Sequence, residues 1–196
     1  MPGSHTIERT SATLVLVDLQ ERLVCAMSRR EEVLANVRFL AEAAALLGMP
    51  VIVTRQYPQG LGDIVAEIAD LPASIQPVDK LTFDCMGEPE FCHRIEELGR
   101  RQIVLAGMET HICVAQTALG LLDAGYQPFG VADAVCSRLD RDHEVAIERL
   151  RSAGVIVTTA EAVVYEALGH AATPEFRAIL PLVKARADVG VFDAGS

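Results

Sequence analysis

The sequence is poor in positive charge. It contains 17 Lys and Arg residues against 27 Asp and Glu residues, which gives a formal net charge of −10 at pH 7. Proteins that bind nucleic acid nonspecifically use clustered Lys and Arg side chains to neutralise phosphates, and this sequence has no such cluster. It also has no apolar stretch that approaches the roughly 20 residues needed to cross a bilayer. The sequence therefore predicts neither a nucleic-acid partner nor a membrane span.

Cysteine is also scarce. The five cysteines are an odd number and lack the regular spacing of a disulfide scaffold. No pair has the C-x-x-C spacing of a structural zinc site, and the N-terminal residues lack the basic-then-apolar layout of a signal peptide. These absences predict reduced thiols, a cytoplasmic location and no bound metal. The cysteines are Cys25, Cys85, Cys92, Cys113 and Cys136.

What the sequence does contain is a regular alternation of strand and helix patterns. Its 196 residues, 51% hydrophobic and 22% charged, are typical of one folded domain, residues 1–196. The alternation predicts an α/β fold in which a mainly parallel sheet lies between helical layers and the loops after the strands share one edge. The predicted strands are 13–17, 51–54, 103–106, 129–132 and 155–158. The predicted helices are 31–47, 88–98, 113–124, 141–153, 160–168 and 174 to about 187, and residues 55–80 are predicted as mostly loop with one short helix around 63–69.

Asp18 ends the first predicted strand and has several possible roles. An Asp at this position is often a helix cap or an acidic loop residue. A dinucleotide-binding oxidoreductase needs G-x-G-x-x-G after this strand, whereas the chain continues Asp-Leu-Gln-Glu-Arg without a glycine. A phosphatase of the haloacid dehalogenase type needs D-x-D, and position 20 is Gln. The sequence therefore disfavours both of these enzyme classes.

Cys113 lies in the first turn of the predicted helix 113–124, directly after a buried strand. Unpaired N–H groups and the positive end of the helix dipole favour a thiolate there, and a nearby ammonium favours it further. The alternative is a buried thiol that only fills space. His111 is either a general base or a loop side chain beside the site. A metal site made of His111 and Cys113 is disfavoured, because the other loops offer no further ligands. The other cysteines are predicted to be ordinary thiols, and His143 is predicted at a solvated helix start.

Several motifs together resemble one known family. They are LVLVDLQ (14–20), YPQGLGDIVAEI (57–68), DKLTF (79–83) and GMETHICVAQTALGLLDAGYQPFGVADAVCSR (107–138). In this order they resemble the isochorismatase-like cysteine hydrolases, in particular the small isochorismatase-domain branch. The resemblance runs from about residue 11 to 185, so it covers most of the chain.

The resemblance implies a fold and a set of site residues. The fold is a three-layer α/β/α sandwich around a six-stranded, mainly parallel, Rossmann-like sheet. The implied triad is Asp18, Lys80 and Cys113. A cis peptide is implied between Met108 and Glu109, and the backbone N–H groups of Glu109 and Cys113 are implied to form an oxyanion hole. Homo-oligomers are also implied.

These features predict a cysteine-dependent hydrolase that acts on a small amide-like C–N substrate through a thioester. Asp18 would take the thiol proton, and Lys80 would hold the two charges in place and lower the pKa of the thiol. We expect Gln20, Phe83 and His111 to line the substrate pocket. No cofactor is expected, because TRQYPQGLG (54–62) lacks the metal-binding Asp and His of nicotinamidase relatives. The alternatives are vinyl-ether hydrolysis, as in true isochorismatases, and a non-catalytic oligomeric scaffold.

Overall fold

The computed structural model describes residues 5–69 and 76–191. Within these residues six strands form one sheet, and every pairing is parallel. The strands are β1 (Ala12–Val17), β2 (Val51–Gln56), β3 (Val78–Lys80), β4 (Gln102–Met108), β5 (Gln127–Cys136) and β6 (Ile156–Thr158). Their order across the sheet is β3-β2-β1-β4-β5-β6, so the direction of winding reverses between β1 and β4. In open parallel sheets, ligands bind beyond the carboxyl ends of the strands at such a reversal.

Helices and short turns connect the strands. Two of the turns are not α-helical: a 3-10 turn at Cys85–Gly87 and a π-helical turn at Thr110–Val114. The helices are α1 (Glu21–Val24), α2 (Arg30–Leu47), α3 (Pro58–Leu61), α4 (Ala66–Ala69), α5 (Pro89–Leu98), α6 (Ala115–Asp123), α7 (Asp140–Ala153), α8 (Ala160–Leu168) and α9 (Pro174–Val191).

The sheet is buried on both faces. Along β1, Leu14 and Leu16 pack into a core built with α2, α8 and α9, while Val15 and Val17 pack into a second core built with α5, α6 and α7. A strand that contributes to two cores is apolar throughout, which explains the absence of alternation in its sequence. The three-layer α/β/α prediction is confirmed.

The stretch 55–80 contains more regular structure than the sequence predicts. β2 extends to Gln56, α3 and α4 follow it, and β3 pairs with β2 so that Gln56 lies opposite Lys80. The prediction of mostly loop was therefore wrong at Lys80, which ends a strand. β3 has only three residues and two of them are charged, so it carries no apolar run for the sequence to reveal. Residues 70–75 lie outside the described residues.

The chain around Cys113 also differs from the prediction. The helix predicted to begin at Cys113 begins as α6 at Ala115, and Cys113 lies in the π-helical turn that precedes it. π-Helical turns are rare and are often found at functional sites. The strand predicted at 129–132 is longer, because β5 continues to Cys136 and carries the next loop to the same edge of the sheet.

β1 and β4 approach each other very closely at this edge. Val17 is paired with Gly107, whose φ is +123°. A β-carbon at position 107 would lie 2.1 Å from the carbonyl oxygen of Val17. Glycine is therefore required at this position, both for its backbone conformation and for the contact with the neighbouring strand.

The last helix belongs to the core. Ile179 is 1% exposed, and Leu182 and Val183 pack against the same apolar cluster as α2. A search of the described helices finds none that is both long enough and apolar enough to cross a membrane.

Candidate active site

The three predicted site residues meet at the edge where the sheet reverses. Asp18 follows β1, Lys80 ends β3, and Cys113 lies in the turn after β4. All three are buried, with exposed fractions of 0%, 2% and 5% respectively. The structure therefore brings the predicted triad together at the carboxyl ends of three strands, β1, β3 and β4, of the same sheet.

Asp18 is held by its backbone and by two donors. Its φ is +53°, a left-handed conformation that is uncommon for residues other than glycine and often marks functional positions. The hydroxyl of Thr54 donates to Oδ1 at 2.7 Å, and Nζ of Lys80 donates to Oδ2 at 2.7 Å. Both carboxylate oxygens are thus fixed in position.

Lys80 is an ammonium with every proton committed. Besides Asp18, its Nζ donates to Oε1 of Gln56 at 2.6 Å and to the carbonyls of Thr82 and Phe83, each at 3.3 Å. Burial is the largest single influence and lowers the pKa of Lys80, but the influences that raise it, led by the charge of Asp18, together outweigh burial, so the pKa is raised above its ordinary value. The side chain is therefore positively charged at neutral pH.

Cys113 is a protonated thiol in this environment. Burial raises its pKa most, and Asp18 raises it further through its negative charge and a hydrogen bond with the thiol, whereas Lys80 lowers it by less. Lys80 lowers the pKa of the thiol, as expected, but desolvation and the carboxylate outweigh the ammonium, so the net pKa is raised. A thiol in this state needs a base that takes its proton as it attacks, and the neighbouring carboxylate is such a base.

The turn before Cys113 has the backbone that the resemblance implies. The peptide bond between Met108 and Glu109 is cis. The carboxylate of Glu109, 5% exposed, accepts hydrogen bonds from the backbone N–H of Arg138 at 2.9 Å and from its Nε at 3.1 Å. The side chain of Glu109 is thus held by the loop after β5. The oxyanion hole formed by the N–H groups of Glu109 and Cys113 stays a prediction.

The three residues predicted to line the pocket have different surroundings. Gln20 is fully buried, and its Nε2 donates to the carbonyls of Gln56 and Gly62 at 3.1 and 2.8 Å. Its Oε1 accepts from the N–H of Gln56 at 2.7 Å, so its side chain clamps two loops. Phe83 is 52% exposed beside Lys80.

His111 faces the start of α7. Its Nδ1 lies 2.9 Å from Oγ of Ser137, and its Nε2 lies 3.8 Å from Oδ2 of Asp142. Both ring nitrogens therefore contact groups outside the triad. This arrangement favours a place beside the site over a role as general base.

His143 supports the turn that carries the thiol. Its Nδ1 lies 3.0 Å from Oγ1 of Thr110, and its Nε2 lies 3.4 Å from Nη1 of Arg29. Arginine only donates, so Nε2 accepts and Nδ1 carries the proton toward Thr110. Burial, and then the charge of Arg29, lower the pKa of His143. The helix start is solvated as expected, since residues 138–141 are exposed, but His143 itself is half-buried and contacts Arg29 and Thr110.

Cys85 is closer to the site than an ordinary packing thiol. It is fully buried, and its backbone N–H donates to Oγ1 of Thr117 at 3.0 Å. The charge of Lys80 lowers the pKa of its thiol. Burial raises the pKa of Cys85 to about 12, so this second thiol is also protonated.

A cavity of about 420 Å³ opens elsewhere on the molecule. Its charged groups are paired with one another: Arg186 donates to Asp133 at 2.7 Å and to Glu161 at 2.8 Å. Among the residues that the structure describes, no group of three or more His, Cys, Asp or Glu side chains is arranged to hold a metal ion. The cavity is lined by Asp133, Thr159, Glu161, Ala162, Tyr165 and Arg186.

Comparison with known proteins identifies the family. The family model of the isochorismatase domain matches residues 12–162. The chain belongs to the isochorismatase family. Isochorismatase domain-containing protein 1 of Salmo salar is 39% identical over 171 residues, which cover 87% of this chain and 60% of that protein. This isochorismatase-family chain therefore spans about 60% of the length of that relative.

Solved structures of other proteins share the fold. A structure described as the MAR1 ribonuclease of Caenorhabditis elegans is 34% identical, with a TM-score of 0.85, and covers 91% of this chain and 92% of its own. The YCAC gene product of Escherichia coli, described as an octameric hydrolase of unknown specificity, is 20% identical, with a TM-score of 0.87, and covers 97% of each chain. The second likeness shows the fold alone.

Two polar residues of the site in this isochorismatase-family chain are missing from the sequence prediction. Thr54 and Gln56 are buried and contact Asp18 and Lys80, while Arg55 between them points away and pairs with Asp79. The signal that would have revealed them is an apolar strand that continues into two uncharged polar residues on either side of a charged one. The predicted strand ended at Thr54, so this alternation was not recognised.

We expect Thr54→Val to weaken the site and Thr54→Ser to preserve it. Valine has nearly the same shape but cannot donate to Oδ1 of Asp18, and a hydrogen bond to a charged group contributes about 1.5–3 kcal/mol. In urea denaturation, the free energy of unfolding of Thr54→Val should be lower than that of the wild type by about 1.5–3 kcal/mol. The decrease for Thr54→Ser should be less than about half as large. Equal stability of the two variants would contradict a role for the hydroxyl.

Proposed function

We propose that this chain is a cysteine-dependent hydrolase that cleaves a C–N bond of a small amide-like substrate. The observation that carries the proposal is the buried contact of 2.7 Å between Asp18 and Lys80 beside the thiol of Cys113. Burial of an ion pair is costly, and its presence next to a nucleophile is typical of an active site. Membership of the isochorismatase family supports hydrolase chemistry.

The first half of the reaction forms a thioester. Asp18 takes the proton of Cys113 as the sulfur attacks the substrate carbonyl carbon. Lys80 stabilises the negative charge of Asp18 and of the attacking sulfur. The N–H groups of Glu109 and Cys113 hold the oxygen of the tetrahedral intermediate. Asp18 then returns the proton to the leaving nitrogen, the C–N bond breaks, and the amine or ammonia departs.

The second half of the reaction clears the enzyme. Asp18 takes a proton from water as the water oxygen attacks the thioester carbonyl carbon. The C–S bond breaks, the acid product leaves, and Asp18 returns its proton to the sulfur. The raised thiol pKa of Cys113 supports this cycle, because a protonated resting thiol requires the carboxylate that adjoins it.

A screen for ammonia release, followed by intact-mass measurement, tests the proposal. Small amides and carbamoyl compounds that release ammonia should, after rapid acid quench, leave an adduct of acyl mass on Cys113. Cys113→Ser should give neither ammonia nor the adduct, and Cys25→Ser, at an exposed cysteine, should give both. Ammonia release by Cys113→Ser at the wild-type rate would refute the thiol mechanism, whereas no ammonia release by the wild-type protein would favour the scaffold and vinyl-ether alternatives.

We also propose a homo-oligomeric, cytoplasmic protein. The octameric state named for the Escherichia coli relative supports assembly. The net charge of −10 weighs against carrying a ribonuclease activity over from the Caenorhabditis elegans relative, because an acidic protein repels the phosphates of a nucleic acid.

A further inference from the structure

We infer that the site takes an uncharged substrate and rejects one that carries a carboxylate next to the reacting carbon. This inference rests on the proposed chemistry of Cys113 and narrows the substrate class of the same site. It follows from the hydrogen bonds of the buried groups, from the pairing of the arginines at this edge of the sheet, and from the apolar rim around Lys80.

The ammonium of Lys80 has no proton left for a substrate. An ammonium donates three protons, and Asp18 and Gln56 take two of them at 2.7 and 2.6 Å. The third is shared between two backbone carbonyls at 3.3 Å each. Lys80 therefore acts on the reaction through its charge, and Asp18 already balances that charge.

The neutral donors of the site are committed in the same way. The single proton of the Thr54 hydroxyl goes to Asp18. The amide of Gln20 donates both protons to backbone carbonyls, and that of Gln56 donates one to the carbonyl of Leu81 at 3.0 Å. The remaining N–H of Gln56 suits a neutral carbonyl group but supplies no charge.

The arginines near this edge are engaged by the chain itself. Arg55 donates three hydrogen bonds to the carboxylates of Asp63 and Asp79, at distances of 2.7 to 3.0 Å. The pairs Arg29–Glu32 and Arg138–Glu109 have shortest distances of 2.7 and 3.1 Å, and Arg22 donates to the carbonyl of Gly60 at 2.7 Å. Each of these arginines already has an acceptor of the chain in place, which weakens its attraction for a substrate carboxylate.

The rim beside Lys80 is apolar. Tyr57, Leu81 and Phe83 are 52%, 72% and 52% exposed, although large apolar side chains are usually buried. Backbone hydrogen bonds hold all three at the site: Tyr57 donates to the carbonyl of Lys80, and the carbonyls of Leu81 and Phe83 accept from the side chains of Gln56 and Lys80. A carboxylate that passes this rim loses its hydration, gains no cationic partner that is not already engaged, and meets the negative charge of Asp18.

Alkylation by two reagents of similar shape tests the inference. Iodoacetamide is neutral and iodoacetate is an anion; each forms an S–C bond with a thiolate and releases iodide. Rates at individual cysteines are measured by peptide mass spectrometry at about pH 9, where ordinary thiols are reactive. We expect the ratio of the iodoacetamide rate to the iodoacetate rate to be at least about 100-fold higher at Cys113 than at the exposed Cys25.

Rim variants show whether charge is the cause. Leu81→Arg adds a cation at an exposed position and should raise the iodoacetate rate at Cys113, whereas the matched Leu81→Gln should not. Arg138→Gln and Arg22→Gln should leave the ratio of the two rates unchanged. A selective loss of iodoacetate reactivity in either arginine variant would show that the arginine receives an anion and would overturn the inference.

The outcomes separate the inference from the proposed function. Equal ratios at Cys113 and Cys25 would overturn the preference for uncharged substrates and leave Cys113 as the nucleophile. If Cys113 reacted with neither reagent while Cys25 reacted with both, the proposed function would fail, and the inference with it. Cys85 is fully buried and should stay unmodified, which shows that the protein remains folded during labelling.

Discussion

Asp18→Asn should abolish turnover and at the same time make Cys113 more reactive toward iodoacetamide. The carboxylate raises the pKa of the thiol, and the ammonium of Lys80 lowers it. Without the carboxylate the pKa of the Cys113 thiol falls, so at a given pH a larger fraction of this thiol is ionised. In the proposed mechanism Asp18 carries a proton in both half-reactions, so we expect turnover to fall by about 10⁴-fold.

The measurement is a pair of pH profiles, one for alkylation of Cys113 and one for substrate turnover. The alkylation profile of Asp18→Asn should move to lower pH than that of the wild type. Asp79→Asn is a matched control, because its carboxylate is half-exposed and pairs with Arg55. It should leave both profiles in place.

Folding of Asp18→Asn has to be verified, because removing one member of a buried ion pair costs about 3–5 kcal/mol. Circular dichroism, together with protection of the buried Cys85 from alkylation, shows whether the variant is folded. If the folded variant lost turnover and also lost reactivity at Cys113, the opposing influences of Asp18 and Lys80 on the thiol would be refuted.

Gly107→Ala should destabilise the fold by about 3–5 kcal/mol. The added β-carbon would lie 2.1 Å from the carbonyl oxygen and 2.7 Å from the nitrogen of Val17, and both are backbone atoms of the adjacent strand. Relief would require β1 and β4 to separate, and the φ of +123° would remain unfavourable for alanine.

Gly130→Ala is the matched control for this prediction. It also adds a methyl group to a central strand, but the nearest atom is a side-chain carbon of Val155 at 3.7 Å, an ordinary contact. Urea denaturation of the two variants should therefore give very different midpoints. A Gly107→Ala protein as stable as Gly130→Ala would mean that β1 and β4 are not in close contact at this position.

The sequence predicts the layers of this fold well, because each central strand is apolar on both faces. It does not reveal β3, whose charged residues Asp79 and Lys80 leave only Val78 as an apolar signal. Pairing with β2 makes this segment a strand, and such pairing is a tertiary effect that local patterns do not encode.

At the candidate site, the sequence predicts which residues come together but not the pKa values of their side chains. Asp18 and Cys113 follow apolar strands and are conspicuous there, and Lys80 comes from a motif shared with the family. The pKa of Cys113 depends on how deeply the thiol is buried and on which charge is nearer, which are properties of the assembled structure. Thr54 and Gln56 matter for the same reason, because only the packed sheet shows what they contact.

The order of the strands has one more consequence. β1, β2 and β3 form one half of the sheet and β4, β5 and β6 the other, and the two halves meet along the seam between β1 and β4. The acid and the ammonium belong to the first half, and the sulfur belongs to the second. A substitution far from the site that shifts one half relative to the other would change the distance between the sulfur of Cys113 and the carboxylate of Asp18. It would do so without replacing any of the three site residues. The rate of the proposed reaction should therefore depend on the relative position of the two halves of the sheet.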